Sequence, residues 1–100
     1  MTKLALYVQL EAKPGKEADL AAFLAGAAPL VEAETGTLAW FAMRTGPTSF
    51  GIFDAFDTEA AREAHLSGAV ATALMAKAGE LLLDEPYIEK IEILADKLPR

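Results

Sequence analysis

Hydrophobic and polar positions alternate along several short stretches of the chain, which predicts half-buried β-strands. The predicted strands run from Lys3 to Glu11, from Thr37 to Thr45, from Ser49 to Phe56 and from Tyr87 to Ala95. Gly46-Pro47-Thr48 is a short link typical of a hairpin, so the second and third strands are expected to pair.

The apolar positions between the first and second strands follow a helical period instead. A helix is predicted from Lys16, after the turn Lys13-Pro14-Gly15. Pro29 is expected to kink this helix or to end its regular part. Gly36 is expected to stop it as a left-handed cap.

A second helical region follows the third strand. It is predicted from Glu59 to about Leu66, with Asp57 or Thr58 as its N-cap. Ser67 and Gly68 interrupt it, and Ser67 is expected to cap a further segment that continues to about Leu82.

The predicted order of elements is therefore β-α-β-β-α-β over one domain of residues 1–100. Right-handed crossovers of that order produce a ferredoxin-like α+β fold, in which a four-stranded antiparallel sheet carries helices on one face. Trp40 shares its strand face with Leu38, and we expect that face to lie against the helices.

Both faces of the second and third strands are apolar, so the face away from the helices is also expected to be covered. The interpretation is a homodimer formed through the sheet faces, the alternative being a well-filled monomer. The stripe assigned to the dimer interface consists of Phe41, Met43, Phe50, Ile52 and Phe56. Asp54 lies in this stripe; if buried, it needs an Arg or Lys across the interface or a backbone N–H as its partner.

Composition and charge narrow the classes of function. Hydrophobic residues make up 53% of the 100 residues, and the formal net charge is −6. An acidic surface repels phosphates, which argues against nucleic-acid binding. Cysteine is absent, and no apolar run resembles a signal peptide or reaches the roughly 20 residues that span a bilayer. A cytoplasmic protein without a membrane association is the expectation.

Several motifs, taken together in order, resemble the antibiotic biosynthesis monooxygenase family of the dimeric α/β-barrel superfamily. They are Lys13-Pro14-Gly15-Lys16, Gly36-Thr37-Leu38-Ala39-Trp40, the run from Phe53 to Glu59, and Glu63-Ala64-His65-Leu66-Ser67. The resemblance implies a barrel-forming homodimer with a small-molecule pocket in each subunit. It also implies relatives that oxidise phenols and quinols without a cofactor, together with relatives that degrade haem.

His65 is the only histidine and the candidate catalytic residue. As a neutral imidazole it would take or hold a phenolic proton while O₂ attacks the ring; the alternative is a structural histidine at the helix break. Trp40 and Phe53 are expected to line the same pocket as His65, with Val8 as a further substrate-binding residue. Trp40 could instead be a core aromatic. Arg44 could hold an acidic group of the substrate or be an exposed charge at the strand end.

No cofactor or metal is expected. One histidine with scattered carboxylates provides no ligand spacing, and no glycine pattern indicates a nucleotide. Met75 occupies the position that resemblance aligns with the axial histidine of haem-degrading relatives, and core packing is its simpler role. Two hypotheses remain: a cofactor-independent monooxygenase of a small electron-rich aromatic, and a non-catalytic dimeric domain that binds a small apolar or aromatic ligand.

Overall fold

The computed structural model describes residues 2–99. In chain order its elements are β1 (Leu4–Glu11), α1 (Glu17–Gly26), α2 (Ala28–Glu32), β2 (Thr37–Arg44), β3 (Ser49–Phe56), α3 (Glu59–Leu66), α4 (Ala69–Leu81) and β4 (Tyr87–Glu92). Each predicted helical region is a pair of helices, and the last strand ends at Glu92 rather than Ala95.

The strands form one antiparallel sheet in the order β2-β3-β1-β4. β1 and β3 are central and pair along their whole length, from Leu4 opposite Phe56 to Glu11 opposite Ser49. β2 and β3 form the predicted hairpin, in which Trp40 lies opposite Asp54. The ferredoxin-like α+β fold is therefore confirmed.

The helix ends follow local chemistry. The first helical region divides at Ala27, and Pro29 lies in the first turn of α2, where a missing N–H costs nothing. Thr58 caps α3 as expected, since its Oγ1 accepts from the Ala61 N–H at 3.1 Å. The predicted cap by Ser67 is wrong: Gly68 is the N-cap of α4, and the Ser67 hydroxyl donates backward to α3 carbonyls.

The core lies between the sheet and the helices. Its largest cluster joins residues of β1 and β3 to α1 and α4: Val8, Leu10, Leu20, Leu24, Phe50, Ile52, Leu74 and Leu81. Phe56 is also fully buried. The predicted interface stripe is thus wrong in part, because Phe50, Ile52 and Phe56 pack under the helices.

The opposite sheet face, called the outer face here, carries Tyr7, Phe41, Met43 and Phe53. Phe41 pairs with Phe53 across β2 and β3, and Tyr7 pairs with Phe53 across β1 and β3. Phe41 is 52% exposed. None of the helices between Thr2 and Pro99 has the length and apolar character needed to cross a lipid bilayer.

Gly36 fulfils a role different from the one predicted. Within the described chain only Gly15 has a positive φ, of 85°, so Gly36 is not a left-handed cap. A Cβ at Gly36 would lie 2.9 Å from the Cβ of Ala61. The glycine therefore lets the turn before β2 contact α3 closely.

Candidate functional site

Helix α3 directs two buried polar side chains, Arg62 and His65, toward the sheet. Arg62 Nη1 lies 3.2 Å from the carbonyl oxygen of Ala5 and 3.3 Å from that of Ile91. These contacts hold α3 on strands β1 and β4. One turn later, His65 is 7% exposed, and its ring centroid lies 5.4 Å from that of Phe56.

Asp54 is the first partner of His65. It lies in the middle of β3, on the face that carries Ile52 and Phe56, and its exposure is 0%. Asp54 Oδ2 is 2.8 Å from His65 Nε2, and no other protein group in residues 2–99 donates to either Asp54 oxygen. The expected partner across a dimer interface, or a backbone N–H, is therefore replaced by a histidine of the same chain.

Glu34 is the second partner. It lies in the turn between α2 and β2, and its Oε1 is 2.5 Å from His65 Nδ1. Thr37 Oγ1 donates to the same oxygen at 2.7 Å. The Glu34 side chain is 19% exposed, so it lies closer to solvent than Asp54 does.

The two acids determine the charge of His65. Burial by itself lowers the pKa of His65, because it disfavours the charged form. Hydrogen bonds and negative charge from Asp54 and Glu34 outweigh burial and raise the pKa of His65 to about 9. A pKa of about 9 makes His65 an imidazolium at neutral pH, whereas the sequence analysis expects a neutral imidazole. With both acids ionised, Glu34, His65 and Asp54, called the charged triad here, carry one net negative charge.

Two cavities meet at His65. The inner cavity, of about 100 Å³, lies between the sheet and α4. Apolar residues form most of its wall, among them Leu6, Val8, Ile52, Val70 and Leu74, and Asp54 and His65 form its polar side. The outer cleft, of about 370 Å³, lies between the turn before β2 and the α3–α4 junction, with Glu34 and His65 in its wall.

The predicted site residues separate in the structure. His65 and Val8 both line the inner cavity. Trp40 lies opposite Asp54 but packs into the core near α2 and α4, and it does not contribute to the inner cavity wall. Phe53 lies on the outer face, so its predicted place beside Trp40 and His65 is wrong. Adjacent residues of a strand point to opposite faces, and Asp54 takes the inward position.

Arg44 takes the second role considered for it, an exposed charge at the strand end, whereas Met75 differs from expectation. Arg44 stands at the far end of β2 with its guanidinium 4.7 Å from the centroid of the Phe50 ring, and it does not reach the inner cavity. Met75 is 57% exposed and lies in the wall of the inner cavity. Its predicted role in core packing is therefore wrong.

Sequence reasoning missed Asp54 and Glu34 as partners of His65. A signal for Asp54 was present, because alternation places it with three apolar residues on one strand face. Glu34 lies 31 positions from His65, and no periodicity relates the two. Among residues 2–99 no group of three or more His, Cys, Asp or Glu side chains could hold a metal ion; in the charged triad the acids lie on opposite sides of the ring.

The fold and this site define a small α+β domain with a buried acid–histidine pair beside an apolar cavity. The sequence comparison identifies the family: residues 4–77 match antibiotic biosynthesis monooxygenase. The chain belongs to that family, whose domains are typically dimeric. No curated protein shows significant similarity to the chain.

Solved structures confirm the fold. A protein of unknown function from Nitrosomonas europaea is 64% identical, with a TM-score of 0.99 over 100% of this chain and 97% of its own. A protein from Pseudomonas aeruginosa is 24% identical, with a TM-score of 0.80 over 95% of this chain and 97% of its own. A protein from Mycobacterium tuberculosis is 18% identical, with a TM-score of 0.82 over 95% and 98%.

Proposed function

We propose that the chain is a cofactor-independent monooxygenase that oxidises a small electron-rich aromatic, of the phenol or quinol type, in the inner cavity. One observation carries this proposal: the carboxylate of Asp54 is buried beside an apolar cavity, and its only polar contact within residues 2–99 is His65. A buried charged acceptor without a full set of donors is costly. A hydroxyl group that enters the cavity would supply the missing donor.

The charge of the site restricts the ligand. Because the charged triad has one net negative charge, a carboxylate or phenolate ligand would be repelled, whereas a neutral hydroxyl donor would be attracted. The apolar wall of Leu6, Val8 and Ile52 suits a flat ring rather than a polar group. A neutral hydroxyarene fits both requirements. A neutral ligand leaves no acidic substrate group for Arg44 to hold.

Asp54 is the proposed base. It accepts the hydroxyl proton of the ring, which raises electron density on the ring carbon that meets O₂. A C–O bond forms at that carbon, and Asp54 returns its proton to the outer oxygen, which gives a hydroperoxide. Asp54 then takes the hydrogen of the same carbon as a proton while the O–O bond breaks, and that proton joins the departing hydroxide. One oxygen atom enters the ring as a quinone carbonyl and the other leaves as water, so the substrate itself supplies all electrons.

His65 then has a different task from the one predicted. As an imidazolium within 2.8 Å of Asp54 Oδ2, it stabilises the buried carboxylate and holds it toward the cavity. It also contributes to the cavity wall itself. Removing His65 would leave Asp54 as an uncompensated buried charge, at a cost of about 3–5 kcal/mol. Replacing Asp54 by Asn is therefore the cleaner test of the chemistry.

We also propose that this chain forms the homodimer that is typical of its family, with the outer face as the interface. Phe41, Met43 and Phe53 provide the apolar surface. Burying each such side chain stabilises the assembly by roughly 1.5–3 kcal/mol, so several together can exceed the cost of association.

The test measures O₂ uptake with a panel of hydroquinones and dihydroxynaphthalenes, and ¹⁸O₂ identifies where each oxygen atom goes. We expect one labelled atom in the quinone product, and a turnover that falls about 10²–10⁴-fold in Asp54→Asn. Asp57→Asn is the matched control, since Asp57 is exposed and only three positions away. Full activity in Asp54→Asn would contradict the assignment of the base. Ring binding without O₂ uptake would favour the non-catalytic ligand-binding domain.

A further inference from the structure

The imidazole of His65 is a wall shared by two cavities. Its Nε2 meets Asp54 on the side of the inner cavity, and its Nδ1 meets Glu34 on the side of the outer cleft. The two ring nitrogens therefore connect a fully buried acid to a partly exposed one. A change of charge at Glu34 must alter the interaction between His65 and Asp54, because the same imidazole ring contacts both acids.

Few charged groups other than these two acids are placed to influence the charge of His65. Among residues 2–99 the buried polar or charged side chains are Thr2, Asp54, Arg62 and His65. The Arg62 guanidinium contacts Glu59 and the carbonyls of Ala5 and Ile91. From α2 and its following turn the facing acid is Glu34, from β3 it is Asp54, and from β4 Lys90 pairs instead with Glu63.

Gly68 leaves room for the Glu34 carboxylate that contacts His65. A Cβ at Gly68 would lie 3.0 Å from Glu34 Oε2 and 3.3 Å from the His65 carbonyl oxygen. The φ and ψ of Gly68 are −85° and −174°, which any residue can adopt. Space, rather than conformational freedom, is therefore what glycine provides here.

We propose that Glu34 is a positioning residue of the site, which acts from the outer cleft to hold His65 in place and in its charged form against Asp54 in the inner cavity. This proposal rests on the proposed function only for what the inner cavity binds. The coupling itself is a property of the free protein. Glu34, whose side chain is 19% exposed, is the member of the charged triad that lies in the wall of the outer cleft but not of the inner cavity.

Because the chain contains a single histidine, its imidazole resonance can be followed by NMR without ambiguity in the untagged protein. In the wild type we expect His65 to keep its proton until about pH 9. In Glu34→Gln His65 should lose its proton more readily, because its anionic partner is gone. Its acid dissociation constant should rise at least about tenfold, since an opposite charge in contact shifts a pKa by about 1–3 units. Glu32→Gln is the matched control, because Glu32 is exposed on α2 and is expected to leave the titration unchanged.

Gly68→Ala provides a second variant in which every charge is retained. The added Cβ should displace the Glu34 carboxylate by a few tenths of an ångström, so the acid dissociation constant of His65 should rise as in Glu34→Gln, but by less. A wild-type titration in both Glu34→Gln and Gly68→Ala would overturn the proposal. So would an equal shift in Glu32→Gln, because it would report net charge rather than contact. These titrations need no substrate, so they succeed or fail independently of O₂ uptake.

Discussion

The free energy of unfolding should fall as the pH rises from about 6.5 to about 9, because folded His65 loses its stabilising proton over this interval. The experiment changes only the pH, which titrates His65. An unfolded histidine has a pKa of about 6.5, whereas burial, opposed and outweighed by Asp54 and Glu34, leaves the pKa of His65 at about 9 in the folded protein. The folded state therefore binds more protons than the unfolded state throughout this interval.

The sign and the size follow from proton linkage. A raised folded-state pKa contributes stability that is fully present below the unfolded pKa and lost as pH rises toward the folded pKa. Each pKa unit corresponds to about 1.4 kcal/mol, so the interval from about 6.5 to about 9 corresponds to at most about 3.5 kcal/mol of unfolding free energy. That is a large part of the roughly 5–15 kcal/mol that stabilises a domain of this size.

The assay is urea unfolding at fixed protein concentration, followed by the fluorescence of Trp40 at half-unit pH steps. The control is the double variant Asp54→Asn with His65→Gln, which replaces the charged pair by amides and removes the titrating ring. We expect a decline of up to about 1.4 kcal/mol per pH unit in the wild type and a flat profile in the double variant. A wild-type profile that is flat between pH 6.5 and 9, or that rises, would refute the reasoning.

Two further predictions follow from packing. Phe41→Asp places a charge on the outer face and should convert the proposed dimer to a monomer in analytical ultracentrifugation. Leu38→Asp, at an exposed position on the same strand but the other face, should not. An unchanged dimer in Phe41→Asp would argue against this interface. Gly36→Ala should lower the unfolding free energy by about 1–3 kcal/mol, because its Cβ overlaps the side chain of Ala61. Gly79→Ala, where a Cβ meets nothing within 4 Å, should instead raise it by roughly 0.5–1 kcal/mol as a better helix former; equal effects in the two variants would contradict the steric argument.

Elements and their order were predictable because each has a periodicity of its own. β3 was predicted with the bounds that it has, Ser49–Phe56, since alternation and turn residues define both ends. Which face of each strand lies against the helices was harder to predict. Alternation states which residues share a face, but where both faces are apolar it does not state which one the helices cover.

The hairpin register contained the missing information. If Trp40 faces the helices, its partner across the hairpin must do so as well, and that partner is Asp54. The same register turns Ile52 inward and Phe53 outward. Combining the predicted turn with the predicted face of Trp40 would thus have corrected the interface stripe. The contact between Glu34 and His65 has no such local signal, because it joins a turn residue to a helix residue 31 positions away, where Gly36 and Gly68 leave room for a close approach.

The charged triad is not explained by stability alone. Replacing a buried ion pair by well-packed apolar residues of similar volume is often neutral or stabilising by about 1–4 kcal/mol. Asp54 lies among Leu6, Ile52 and Phe56, where an apolar side chain would complete the core without needing a counter-charge. The chain instead buries an acid, places its only histidine against it and holds that histidine with a second acid. A site needs such an arrangement when a proton acceptor must be kept charged inside an apolar cavity, which favours chemistry at Asp54 over a purely structural role.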